Sequence, residues 1–263
     1  MTARQPALFI PHGGGPCFFM PDPLGHWAGM EAFLRSLPRR LPEPPAAIIV
    51  ISAHWETSGF RITGGSGMKL IYDYVGFPQE TYAISYDAPG APAVAARAAA
   101  LLLAEGLPVE IDFERGFDHG VFVPLKVAFP EADIPVIEMS TERGLDPKLH
   151  IAAGRALAGL RDEGVLIIGS GMSFHDLKAF GDKRFTLPSQ AFDSWLTSTL
   201  AQPGDVRADR LADWLQAPGA RAAHPTEEHL IPLMVAAGAS NAPGARIYSE
   251  LVLETAVSAF QFD

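Results

Sequence analysis

A chain of 263 residues and 28.2 kDa, 48% hydrophobic and 19% charged, carries enough apolar material for one large core and is not a disordered polymer. Its formal charge of −10 and pI near 5.2, with no cluster of Lys and Arg, exclude a nucleic-acid partner, whose binding draws on such clusters. No run approaches the roughly 18 uninterrupted apolar residues of a membrane span, while the lone Cys17 and an opening Met-Thr-Ala-Arg-Gln-Pro without a secretory core point to a reducing cytoplasm.

The first predicted element is a short strand over 6–10, running into the tight glycine loop Pro11-His12-Gly13-Gly14-Gly15-Pro16. A helix is expected over 27–37. The Ile/Val run 46–53 lacks polar alternation, as in a parallel strand buried on both faces, and ends at His54. A strand over 60–63 precedes a long ordered loop, 73–90, whose Gly, Pro and aromatic residues suit a pocket wall. Alanine-rich 91–105 is a helix by propensity and 108–113 a strand.

After the glycine-bounded turn Gly116-Phe117-Asp118-His119-Gly120, the pattern predicts a helix over 123–129, a strand over 135–139 and a helix over 147–161. Residues 165–171 carry a second buried-strand signature, which runs on through Met172-Ser173-Phe174 to His175. Helices are expected over 190–201, 207–216 and 225–237, then a β-like tail over 246–262. Neither a repeat nor a linker divides the chain, so 1–263 reads as a single α/β domain with a mostly parallel central sheet flanked by helices.

Three of the eight histidines, His12, His54 and His175, fall at or just beyond the carboxyl end of a predicted buried strand. Ligands of open α/β sheets gather in the crevice outside those ends, so imidazoles remote in sequence could converge there on a metal. Any one of them alone is as readily a core residue satisfied by a single hydrogen bond. His224-Pro225-Thr226-Glu227-Glu228-His229 supplies further candidates, with His229 expected one turn inside a helix begun by Pro225. The spacing does not match the His-Glu-x-x-His zinc-protease pattern. His119, beside Gly120, suits a general acid or base, whereas His26 and His150 read as ordinary surface residues. Gly169-Ser170-Gly171 is not a nucleophile elbow, and its small residues read as close backbone packing beside the site.

The motifs Pro11-His12-Gly13, Ser52-Ala53-His54-Trp55, Gly116-Phe117-Asp118-His119-Gly120, Ser170-Gly171 through His175-Asp176-Leu177, and Pro225-Thr226-Glu227-Glu228-His229 through Pro232-Leu233 follow one another along nearly the whole chain. In that order they resemble the DOPA-type class III extradiol ring-cleavage dioxygenases, relatives of the protocatechuate 4,5-dioxygenase β subunit. Gly76-Phe77-Pro78 and Tyr86-Asp87-Ala88-Pro89-Gly90 add to the likeness. The resemblance implies that His12, His54 and His229 bind one divalent metal, iron(II) for ring cleavage with zinc(II) also plausible. It implies His175 as a fourth ligand in zinc-loaded members or a catalytic residue, and His119 as the second acid/base. Glu227 or Glu228 could ligate instead, or orient an imidazole. One departure, Gly13-Gly14-Gly15-Pro16 where the family more usually has Gly-Ser-Pro, bears on loop shape and substrate choice and removes no ligand.

The activity so implied is insertion of both atoms of O2 into a small aromatic diol, a DOPA-like or related catechol, opening the ring to a muconic semialdehyde. Two other readings use the same histidines: a zinc hydrolase attacking an amide or ester with metal-bound water, and a non-enzymatic metal-binding protein on this scaffold. The oligomeric state is open, and a homo-oligomer is compatible with this class of enzyme.

Overall fold

Apolar runs that alternate nothing polar become the middle of a sheet covered on both sides. In the computed structural model, which describes residues 3–263, the elements in chain order are β1 (Ala7–Pro11), α1 (Ala28–Ser36), β2 (Ala47–Thr57), β3 (Phe60–Thr63), α2 (Pro92–Ala104), β4 (Val109–Asp112), α3 (His119–Ala128), β5 (Val136–Glu142), α4 (Pro147–Leu157), β6 (Val165–Gly171), α5 (Thr186–Leu200), α6 (Gly204–Ala212), α7 (Ala220–Ala223), α8 (Ile231–Gly238), β7 (Gly244–Val252) and β8 (Thr255–Phe262). The strands form one eight-stranded sheet in the order β4-β3-β5-β2-β6-β1-β8-β7. Its centre, β5-β2-β6-β1, is parallel throughout, so four carboxyl ends open on the same side.

Successive residues of these central strands point to opposite faces. Ala7, Phe9, Ile49, Ile51 and Ile167 pack under α2, α4, α5 and α8. Leu8, Ile10, Ile48, Val50 and Ile168 pack under α1 and α3. Burying both faces is what selects a run of β-branched and aromatic residues over alternation, at about 25 cal/mol per Å² of apolar surface removed from water. At the amino end of the sheet, the buried Arg161 guanidinium donates to the carbonyls of Gln5 (2.7 Å), Ala239 (2.8 Å) and Phe262 (3.1 Å). It ties β1, the end of α8 and β8 together on the side opposite the histidines.

Several boundaries differ from the sequence pattern: α3 begins at His119 instead of 123, α5 at Thr186 instead of 190 and α6 at Gly204 instead of 207, and four further differences have a local reason. Strand β2 does not stop at His54: its pairing with β5 shifts register between Ile51 and Glu56 and resumes to Thr57, so His54 sits inside an irregular stretch of strand. Strand β6 ends at Gly171, and Met172 to His175 continue as loop, held by the His175 N–H donating to the Ala223 carbonyl (2.8 Å). The helix expected from Pro225 begins only at Ile231, so His229 precedes it instead of lying one turn inside. Pro232 supplies the reason: it has no N–H to offer the carbonyl four residues back, and its ring suits the first helical turn. The tail splits into an antiparallel hairpin, turned by Leu253 and Glu254 at positive φ of 47° and 67°. Among the described residues, no helix is long and apolar enough to cross a membrane.

Candidate metal centre

Five of the histidines meet at the carboxyl ends of the central strands. His12 follows β1 and stays in register because its N–H donates to the Gly171 carbonyl (3.2 Å). His54 projects from the irregular end of β2, His119 is the first residue of α3, His175 lies in the loop after β6, and His229 in the turn before α8. The Nε2 atoms of His12 and His54 are 3.3 Å apart. His229 stands with its ring centroid 5.2 Å from that of His12 and 4.9 Å from that of His54, and one ligand nitrogen from each of the three lies within 4.8 Å of the others.

This geometry suits one cation. Two nitrogens bound to a single ion at about 2.1 Å stand roughly 3.0–3.4 Å apart, for bond angles between octahedral and tetrahedral. The buried His229 Nε2 has no protein hydrogen-bond partner among the described residues, a costly orphan unless something accepts its lone pair. Its Nδ1 faces Glu228 Oε1 at 3.1 Å, which fixes the tautomer that leaves Nε2 free. Burial, reinforced by the neighbouring imidazoles, pushes His54 and His229 down to about 3 and His12 well below its ordinary value. All three are therefore neutral near pH 7, the state that ligates.

Two carboxylates flank the group. Asp73 Oδ1 accepts from the backbone N–H of His119 (2.9 Å) and from its Nδ1 (2.8 Å), while Oδ2 lies 3.8 Å from His54 Nδ1. Burial alone would raise the Asp73 carboxyl, but the hydrogen bonds and charge of His119 hold it below its usual range. Glu228 sits between His229 and His175, whose Nδ1 is 3.5 Å away, and the two rings stack at 3.4 Å. Burial opposes ionisation of Glu228 too, and hydrogen bonds from His175, His229 and Thr226 outweigh it. Asp73 with His54 and His119, and Glu228 with His175 and His229, are each close enough to hold an ion themselves. Glu227 instead pairs with Arg221 (2.7 Å).

The other histidines stand apart. His26 is exposed. His150, expected on the surface, is fully buried: its Nδ1–H donates to the Asp146 carbonyl (2.7 Å) and its Nε2 accepts from the Glu142 N–H (3.0 Å), joining α4 to β5. His224 lies against Phe192 and Trp214, with Nε2 3.1 Å from the Ser173 carbonyl oxygen. Asp73 is not singled out in the sequence; its local signal is an acid between two tyrosines, Tyr72 and Tyr74.

The Gly169-Ser170-Gly171 segment does pack backbone to backbone. A Cβ on Gly171 would stand 2.2 Å from the His229 carbonyl oxygen, which accepts the Met172 N–H (3.1 Å). Ser170 Oγ donates to the Gly120 carbonyl (2.5 Å). Gly171→Ala is expected to displace the His229 turn, lowering stability by about 1–3 kcal/mol of overpacking. Metal affinity should fall along with it, read by thermal melting and a metal titration; wild-type values in both would show that the turn tolerates the methyl.

The centre opens into a cavity of about 330 Å³ walled mainly by apolar side chains, Trp27, Tyr74, Phe77 and Met172 among them. Residues 7–260 match the sequence model of the family described as the catalytic LigB subunit of aromatic ring-opening dioxygenase. The chain is 42% identical to the dioxygenase tasH of Hapsidospora irregularis, over 90% of this chain and 78% of that protein. It is 36% identical to the 4,5-DOPA dioxygenase extradiol of Escherichia coli strain K12, over 90% of this chain and 86% of the relative. The Beta vulgaris protein of that same name is 42% identical over 80% and 79%. A crystal structure from Escherichia coli K12 superposes with a TM-score of 0.78 at 30% identity, covering 99% of this chain and all of the other.

Proposed function

The chain belongs to the LigB family of aromatic ring-opening dioxygenases, and from that premise we propose that it cleaves a catechol-type ring with iron(II) held by His12, His54 and His229. The observation that carries this reading is that three neutral imidazoles, buried His12 and His229 and half-buried His54, each bring one nitrogen within 4.8 Å of the others, with His119 against the His54 ring and His175 stacked on His229. Iron(II) held by these imidazoles would supply one-electron chemistry for catecholate and dioxygen, which zinc, accepted by the same residues, lacks.

The protein's own groups handle protons and position. His119, its Nδ1–H turned to Asp73, presents Nε2 as the base that takes a catechol hydroxyl proton. The second contact of Asp73, to the His119 backbone N–H, fixes that ring relative to α3, so base and orienter move as one unit. On the other side His175, stacked on His229 and facing Glu228, returns a proton as the ring opens. The apolar cavity walls, Trp27, Phe77 and Met172 among them, offer an aromatic ring an apolar seat beside the histidines. Both oxygen atoms end in the product, a muconic semialdehyde.

Anaerobically purified protein, reloaded with one iron(II) per chain and given catechol, protocatechuate and DOPA in turn, is expected to consume one O2 per ring opened and yield a yellow product with at least one of them. Iron-loaded protein that takes up no oxygen with any of the three would overturn the assignment.

A further inference from the structure

We propose that the substituent on the substrate's ring is uncharged and apolar, and that it leaves the histidine cluster along Gly14, between Trp27 and Phe77. The inference rests on the catechol reading and narrows it to a substrate class. Among the described residues that line the cavity, the titratable side chains are the five imidazoles and Tyr74, and none is a lysine or an arginine. The Tyr74 hydroxyl is already committed, donating to the Thr81 carbonyl (2.7 Å). A carboxylate on the substituent would lose its hydration with no cation to receive it, and would add to the negative charge of Asp73 and Glu228 behind the rings. Val75 and Leu177, which also line the cavity, are 88% and 72% exposed, an apolar rim that a greasy substituent would cover.

Gly14 gives the direction. A second cavity of about 290 Å³ shares Gly14, Trp27 and Phe77 with the first, and is walled further by Met20, Pro23 and Leu24. Its acidic side chain, Asp22, accepts the backbone N–H groups of His26 (3.0 Å) and Trp27 (2.8 Å) and would repel an anionic substituent, while its one basic side chain, the imidazole of His26, is exposed to solvent. Gly13 and Gly15 take positive φ, 81° and 55°, which favours glycine whatever the space around them. Gly14 does not, and a Cβ there would reach the Trp27 ring at 3.4 Å. What its missing side chain provides is room between the two cavities.

The test is equilibrium binding to the iron-loaded protein without oxygen, by calorimetry, of catechol, 4-butylcatechol and 3-(3,4-dihydroxyphenyl)propanoate. Each buried methylene tightens binding about fourfold, so 4-butylcatechol is expected to bind at least tenfold more tightly than the propanoate. Gly14→Val is expected to lower the ratio of butylcatechol to catechol affinity by about tenfold, with Gly14→Ala intermediate. Equal or tighter binding of the propanoate, an unchanged ratio in Gly14→Val, or no binding of any of the three would overturn the proposal. Because no turnover is needed, a protein that binds 4-butylcatechol selectively yet consumes no oxygen keeps this inference while the ring-cleavage assignment falls.

Discussion

Replacing His54 by alanine is expected to strip the protein of its metal, from one ion per chain to almost none, and to lower ring cleavage by at least a thousandfold. The effect is geometric first. His54 Nε2 stands 3.3 Å from His12 Nε2, and one ring nitrogen of His54 lies within 4.8 Å of one of His229, so its removal leaves two nitrogens where three converge. It is also electrostatic, since a metal contributes several kcal/mol of charge stabilisation in the transition state and each 1.36 kcal/mol is a tenfold change in rate. The fold should survive, because His54 is partly exposed at the rim of the sheet and the neighbouring strand pairs do not use its ring. Metal content by elemental analysis and melting of the metal-free protein separate the two effects. A His54→Ala protein that keeps stoichiometric metal would remove this residue from the ligand set.

His119→Ala is expected to behave differently, keeping the metal while kcat drops by roughly 10²–10⁴, the usual contribution of a positioned general base. Its ring centroid lies 3.9 Å from that of His54, yet its Nδ1 is bonded to Asp73, and its backbone is anchored at the start of α3. Asp73→Asn should reproduce part of the loss, because an amide can accept from the imidazole but no longer stabilises its protonated form. Elemental analysis and steady-state kinetics on the same preparations read both quantities. Equal metal loss in His54→Ala and His119→Ala would overturn the division between ligand and base.

Much of this arrangement is legible in the chain because it is written in local patterns. The unalternating runs 46–53 and 165–171 announce strands buried on both faces, and the carboxyl ends of such strands are where a ligand crevice lies, which is why His12 and His54 stand out before any coordinates. The small residues 169–171 likewise announce a close approach, although not that the approaching backbone belongs to His229. What stays hidden depends on contacts between distant segments. Asp73 and His119 are 46 residues apart, and nothing in either neighbourhood encodes their hydrogen bonds. His150 looks like an exposed helical residue until α4 is laid against β5 and its ring becomes the acceptor for Glu142. The start of α8 is encoded locally: Pro232 marks a first turn, and Pro225 carries the same signal seven residues earlier.

Where the ion sits decides the chemistry, and three overlapping groups of side chains compete for it: His12 with His54 and His229, Asp73 with His54 and His119, and Glu228 with His175 and His229. Anomalous diffraction from crystals of iron-loaded protein, collected on both sides of the iron absorption edge, distinguishes them. One peak at about 2.0–2.2 Å from a nitrogen of each of His12, His54 and His229 is the predicted result. A peak bonded to Asp73 and His119, or to Glu228 and His175, with His12 left out, would contradict it.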